Sequence, residues 1–420
     1  MACSSNRRVP GAALLAVLSL GMPYATHAAA PVLTTLYSFT GVQGDGRYPY
    51  AGVTLGSGGV LFGTTLLGTA YGSGTVFELT PPATTGGAWT ETVLYAFSGG
   101  DGANPYATPT VGKRGELFGT TDVGGAFNAG TVFELTPPSA GGTWTEAILH
   151  NFINSSGDGI GPYAGLISHG GIFYGTTSGG GASHGGTVFQ LTPSTSGGAW
   201  TETVLYSFTG ANGDGQYPNA NVTAGANGVL YGTTQSGGAS DRGTVFQLTP
   251  PSAPGGAWTE TVLYSFTGAS DGGNPLCSMT LGSGGVLYGT ASSGGTMGNG
   301  AVFELTPPTS GGAWTETVLY SFTGQKGDGA LPYAGVVLGN NGGLFGTTFS
   351  GGTVGQGTVF ELKPPATPGG AWTEMVLHHF TGGDDGANPY AGLILSKGMF
   401  YGTTTVGGAS GYGAVFQLQP

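Results

Sequence analysis

Charge is what this chain has least of. Only 7% of its 420 residues are Asp, Glu, Lys or Arg, and nine of them are basic. A protein that grips phosphates needs a cluster of Lys and Arg to displace counterions, so the scarcity argues against nucleic acid as a partner. It equally disfavours an anionic membrane surface. Beyond the N-terminus no apolar run approaches the roughly 20 residues of a spanning helix, so no membrane span is expected. Cysteine is nearly missing as well. With Cys3 in the leader, Cys277 is the remaining thiol and no intramolecular disulfide can form. The Ala/Glu/Lys/Leu vocabulary of helices is thin throughout, which leaves an all-β reading.

What the chain has instead is glycine, 88 residues of it, with 25 prolines and 39% hydrophobic residues. The glycines stand at fixed offsets between segments such as TVFELT and ETVLYSF, so they punctuate a fold and do not mark a disordered tract. The phrase LYSF or a close variant begins at Leu36, Leu94, Leu149, Leu205, Leu263, Leu319 and Leu377, in steps of 55 to 58 residues. Each unit holds four β-branched and aromatic runs, in the first complete copy 52–55, 60–65, 75–80 and 89–97. Seven units of four short antiparallel strands predict a seven-bladed β-propeller with twenty-eight strands. Residues 32–39 resemble an outer strand with no earlier partner, and 414–418 a third strand with no successor. The N-terminal strand is therefore expected to complete the last blade and remove two open sheet edges.

Ahead of the repeats, Arg7 and Arg8, the apolar stretch 11–22 and the small-residue segment 24–30 read as an export signal cut after Ala28. Loss of the two arginines takes the net charge from −12 to −14. Residues 29–420 then form a single propeller domain in a secreted or periplasmic protein with no cofactor expected.

Several columns of the repeat carry packing information. Ala51, Ala107, Ala164, Ala220, Cys277, Ala334 and Ala391 open the innermost strands, where crowding at the axis demands small side chains. Cys277 stands in that series and reads as packing before it reads as a nucleophile. Gly63 and its six equivalents in LYG or LFG imply close approach by a large ring of a neighbouring blade. Trp89, Trp144, Trp200, Trp258, Trp314 and Trp372 open the outer strands as wedges. Glu91, Glu146, Glu202, Glu260, Glu316 and Glu374 follow two residues later and read as solvated groups.

The LYSF, GANPYAG, LYGTT and GTVFELTP phrases, repeated over residues 33–420, resemble the GloVer (Gloeo/Verruco) tandem-repeat proteins. That resemblance implies an exported bacterial protein with no activity generally assigned to the repeat. Family members often bear a separate C-terminal surface-sorting signal, and the sequence here stops at Pro420 with its seventh repeat. No catalytic residue carries over.

In a four-stranded blade, the loop from second to third strand and the crossover between blades emerge at one end of the ring, and chemistry is expected there. The crossover repeats an Asp-Gly turn at Asp45, Asp101, Asp158, Asp214, Asp271, Asp328 and the pair Asp384-Asp385. These are turn formers first and a Ca²⁺ or sugar-hydroxyl site second, since one loop lacks the several oxygens calcium requires. The second-to-third-strand loop is nine residues long in every blade, yet its side chains vary. Tyr71, Asp122, Phe127, Asn128, His184, Asp241, Arg242, Met297 and Tyr412 are the candidate ligand-binding residues. An enzyme must break the sevenfold pattern, and Asp241, Arg242 and His184 are the catalytic candidates, with Arg47, His169, His150 and His378-His379 also off pattern. His150 and His378 replace the LYSF tyrosine and should pack at blade interfaces.

No His-x-x-x-His or Gly-x-x-x-x-Gly-Lys element is present, and no Gly-x-Ser-x-Gly elbow, since the two stretches of that spelling, 181–185 and 268–272, join strand to strand with no helix expected to follow. The leading expectation is an exported recognition or scaffold propeller that binds a glycan or another envelope or extracellular partner at the channel mouth. An extracellular polysaccharide lyase or hydrolase at the same face is one alternative, and a purely structural repeat module another.

Overall fold

The alternating apolar runs pair as antiparallel neighbours within each repeat, and seven four-stranded sheets result. A computed structural model describes residues 1 and 30–420, except 43, 69–70, 85, 140, 156, 195–198, 254 and 368; the segment 1–28, expected to be an export signal, lies outside the described residues apart from Met1. Blade 1 orders Thr54–Leu55, Leu61–Thr65, Thr75–Thr80 and Thr90–Ala96 from the axis outward. Blades 2 to 6 repeat that order and end on the outer strand Thr373–His379. Blade 7 takes Ile394–Ser396, Met399–Thr404 and Ala414–Gln419 from the C-terminal end of the chain and its outer strand, Val32–Ser38, from the other end. The closing pair runs antiparallel from Val32↔Gln419 to Ser38↔Ala414, so the seven-bladed propeller is shut by the N-terminal strand as expected.

Each third-to-outer strand pair carries a bulge, between Val76 and Phe77 in blade 1 and at the same place in the other blades. The bulge breaks the period-two alternation. Leu94 and Tyr95, adjacent in LYSF-type segments, therefore both pack on one core cluster. The phenylalanine that ends the phrase is fully buried in every copy and meets the third-strand phenylalanine of the next blade edge to face. Ring centroids lie 5.0–5.3 Å apart at all seven interfaces. Each such buried ring contributes on the order of 1.5–3 kcal/mol from area alone.

The first threonine of each LYGTT-type strand sews the blades together near the axis. Thr64, Thr120, Thr176, Thr233, Thr290, Thr347 and Thr403 donate Oγ hydrogen bonds of 2.7–3.1 Å to the carbonyls of Ala107, Ala164, Ala220, Cys277, Ala334, Ala391 and Ala51. The last of these closes the ring from blade 7 to blade 1. Buried hydroxyls are thereby satisfied without charge, which is how a chain so poor in ions holds its centre.

Three packing expectations meet this architecture differently. The tryptophans are interblade wedges: Trp144 lies 6.2 Å from Phe62, and Trp200 lies 6.2 Å from Phe118. The strand glycines do lie under a large ring, but of their own blade. Gly63 pairs with Phe77 across the same sheet, and a Cβ there would meet that ring at 2.5 Å. Register places the two residues directly opposite, so the ring folds over its own strand partner. The outer-strand glutamates are not solvated. Glu91 is half-buried, its carboxyl pushed up to about 8 by burial and then by Asp45, and its five equivalents are pushed up to about 7. The alternation that exposes Thr90 and Thr92 turns Glu91 inward against the crossover.

Candidate functional site

The crossovers are built by turn chemistry. Asp101 Oδ1 accepts the Ser98 amide at 2.8 Å and Asp101 Oδ2 the Tyr95 hydroxyl at 2.6 Å. Asp45, Asp158, Asp214, Asp271, Asp328 and Asp385 accept the corresponding amides of Thr40, Ile153, Thr209, Thr267, Thr323 and Thr381. Asp384 is exposed and its side chain stands outside this series. At two interfaces histidine takes the tyrosine's place. His150 Nε2 lies 3.3 Å from Asp158 and His378 Nε2 lies 3.0 Å from Asp385, each imidazole packed edge-on against the following phenylalanine.

From the Asp-Gly turn the crossover pairs with the second-to-third-strand loop of its own blade, as in Gly46–Arg47 against Leu67–Gly68. These short ladders fix both segments at the same end of the ring. The residue before the crossover proline is left-handed in every blade, including Tyr48, Tyr217 and Leu331 at φ 57–60°. Such bulky residues adopt that region only under constraint. The constraint is a clasp: the Tyr217 amide donates to Gly185 of the preceding blade, and its carbonyl accepts the Gln235 amide.

The proline leads directly onto the axis, and there the structure holds a feature that the sequence reading passed over. Tyr50, Tyr106, Tyr163, Tyr333 and Tyr390 ring the mouth of a central channel of about 270 Å³. Tyr106 and Tyr163 stack at 4.2 Å, and Tyr163 hydrogen-bonds to Tyr390 and to Tyr106. Burial pushes the Tyr106, Tyr163 and Tyr390 hydroxyls up, so they remain protonated. In blades 4 and 5 the same position is Asn219 and Leu276, and the tyrosine ring is open on that side. The break YAG to NAN or LCS was visible in the sequence one residue before the alanine column.

Beside the gap lies a cleft of about 440 Å³ across the loops of blades 2 to 4. Its polar lining comes from Asp122, Asn128, Asn154, Ser178, Asn219 and Gln235, and its aromatic rim from Phe127 and Tyr217, 62% and 40% exposed. One residue of its wall departs from the repeat. Gly161 occupies the left-handed position that is tyrosine, asparagine or leucine in the other six blades, and a Cβ there would sit 2.7 Å from Ser178 Oγ and 3.1 Å from Asp122 Oδ1. With no side chain there, the hydroxyl and the carboxylate close in on the Gly161 backbone. Burial pushes the Asp122 carboxyl up, and no described residue donates a hydrogen bond to it. Asn219 donates to Gln235 at 2.7 Å, which orients both amides.

Of the candidate binding residues, Asp122, Phe127 and Asn128 meet in this cleft. Tyr71 and Met297 are exposed at the equivalent loop tips of blades 1 and 5. Tyr412 packs over Tyr48 at 5.7 Å. Asn128, His184 and Asp241 occupy a left-handed loop position that is glycine in the other four blades. Asp241 Oδ1 accepts the Gly237 amide of its own loop at 2.9 Å, and the Arg242 stem lies over Gly268. Among the described residues no ion pair joins Asp241, Arg242 and His184. His169 lies in the first hairpin of blade 3, at the opposite end of the ring. Cys277 is buried, bonded through Sγ to the Thr290 backbone, and burial pushes its thiol up. His150, Asp158 and Glu202 offer three ligand atoms within 4.8 Å of one another, a set that could hold a metal ion.

The sequence profile of the Gloeobacter/Verrucomicrobia repeat matches residues 19–141, 84–294 and 277–420. The chain belongs to this repeat family. None of the curated proteins matches it. Among solved structures, this Gloeobacter/Verrucomicrobia repeat protein is similar to a putative 6-phosphogluconolactonase from Bacteroides uniformis ATCC 8492. That match has 14% identity and a TM-score of 0.51, over 82% of this chain and 88% of the other. A protein of unknown function from Dyadobacter fermentans DSM 18053 is similar at 12% identity and a TM-score of 0.45, over 93% of this chain and all of the other. At 14% identity the first likeness is one of fold alone. Among the described residues no helix is long and apolar enough to cross a membrane.

Proposed function

We propose that this protein recognises an extracellular or envelope glycan, without turnover, in the mouth-face cleft of blades 2 to 4. The observation that carries the reading is the cleft itself, where amides, a hydroxyl and a half-buried carboxyl converge below exposed rings. Sugar hydroxyls need partners that both donate and accept, and sugar C–H faces pack on aromatic rings; Asn219, Gln235, Ser178 and Asp122 supply the first, Phe127 and Tyr217 the second. In this reading residues 1–28 direct export and are removed, and 29–420 act as one propeller in the periplasm or outside the cell.

The test is a glycan array with wild type and Gly161→Asn. Asparagine occupies this position in three other blades at similar φ, so the backbone admits it, while the new side chain must displace Ser178 Oγ and Asp122 Oδ1 from the cleft wall. Binding that weakens by about tenfold or more supports the reading, and equal binding by both proteins rejects it.

A polysaccharide lyase or hydrolase is the second reading, favoured by the raised Asp122 carboxyl beside the Tyr106 and Tyr163 hydroxyls. Release of reducing ends or unsaturated products from any array-positive polymer would establish it. A Ca²⁺ ion at the crossover turns is a subsidiary reading, to which Asp158 and Glu202 bring two carboxylates of the six to eight oxygens such an ion takes.

A further inference from the structure

A second feature stands apart from the cleft. Six of the seven blade interfaces place a crossover aspartate near an outer-strand glutamate of the next blade, and a LYSF-position side chain completes each group. In five of them that side chain is tyrosine. Between blades 2 and 3 it is His150, and between blades 6 and 7, where His378 faces Asp385, the glutamate position is Leu33. Imidazole, carboxylate and carboxylate therefore coincide once, at His150, Asp158 and Glu202.

We infer that His150, Asp158 and Glu202 form a binding site for a divalent transition-metal ion of the Zn²⁺ class. His150 Nε2 and Asp158 Oδ2 lie 3.3 Å apart, and all three ligand atoms lie within 4.8 Å of one another. Tetrahedral ligands about 2.1 Å from zinc stand about 3.4 Å apart, so the first pair is in place and Glu202 has a short distance to close. Asp158 is held from behind by the Ile153 and Gly159 amides at 3.0 and 2.7 Å, the outer support that orients a ligating carboxylate. Glu202 Oε1 is buried with no hydrogen-bond partner among the described residues, as are the same atoms of its five equivalents, so it is free to turn to a cation and the imidazole is what singles out this interface. The imidazole sets the metal class, because Ca²⁺ takes six to eight oxygens and three protein ligands with one nitrogen suit zinc. This inference is independent of the glycan reading.

The propeller supplies its own controls. His150→Tyr recreates the group present at five other interfaces, and Leu33→Glu completes the triad at His378 and Asp385. Equilibrium dialysis of untagged, metal-stripped protein against Zn²⁺ should give wild type one equivalent more than His150→Tyr, whose residual binding at this site weakens by about 100-fold or more. Leu33→Glu should bind one equivalent more than wild type. Equal stoichiometry in wild type and His150→Tyr overturns the site, as does Ca²⁺ binding that Zn²⁺ does not displace. If Leu33→Glu fails to fold, the His150→Tyr comparison decides alone.

Discussion

The wall between two blades and the rim above it come from the same repeat but tolerate change very differently. At the wall, Phe97 on Phe133 and its six counterparts keep their separation within 0.3 Å around the ring, from 5.0 to 5.3 Å. At the rim, the loop-tip position of Phe127 is Tyr71, Ser183, Ser240, Met297, Val354 and Ser410 in the other blades. Close packing admits few side chains at the wall. The rim backbone is held by its own hydrogen bonds, among them the left-handed clasp before each crossover proline, so the side chains it presents are free to differ. Conformation is thus carried by the backbone of the loop, which leaves the identity of its side chains open.

Paired substitutions put this contrast at its sharpest. Phe133→Ala should destabilise by about 3–5 kcal/mol, whereas Phe127→Ala, in the adjoining loop, should stay within about 0.5 kcal/mol; urea unfolding of both variants measures the gap. Comparable losses would mean that the rim is part of the packing.

A smaller effect tests the carboxyl pairs beneath the rim. Glu91 is pushed up from 4.5 to about 8, so the folded state holds a proton that the unfolded chain releases. That contribution is complete below pH 4.5 and is lost as pH rises through 8. Thermal midpoints should fall between pH 5 and 8, with the glutamates pushed to about 7 acting in the same window. Glu91→Gln should raise the midpoint by a few degrees at pH 8.5 and give no gain at pH 4. A gain at both values would assign the effect to packing.

The smallest change is expected at the tips. Asp241→Gly and His184→Gly restore the residue that four blades already use in that left-handed position, so stability should shift by no more than about 1 kcal/mol. Glycan binding should be unchanged. Loss of a polymer-degrading activity in either variant would instead return these residues to the catalytic role that their off-pattern chemistry suggested.

Much of the fold was legible because the repeat writes each element seven times. Strand runs 60–65 and 75–80 in the sequence became Leu61–Thr65 and Thr75–Thr80, and the unpartnered run at 32–39 became the closing strand Val32–Ser38. The site was less legible. Asp122, Phe127 and Asn128 stood out by differing from their counterparts, but Asn219, Ser178 and Gly161 come from other blades and share no motif with them. Gly161 was hidden among 88 glycines, though it is the one against which Ser178 and Asp122 of the cleft pack. The glutamates read as solvated because alternation tells which residues share a face, not what lies against that face.

The sequence by itself determined the blade count, the strand order and the closure, because these follow from local alternation and turn chemistry repeated at a fixed period. Only the tertiary structure decided which departures from the repeat meet. The packing of successive blades brings Asp122 and Gln235, more than 100 positions apart, to one cleft, and sets His150 of one blade beside Glu202 of the next. Such encounters depend on how neighbouring blades seat against one another, which no local pattern encodes.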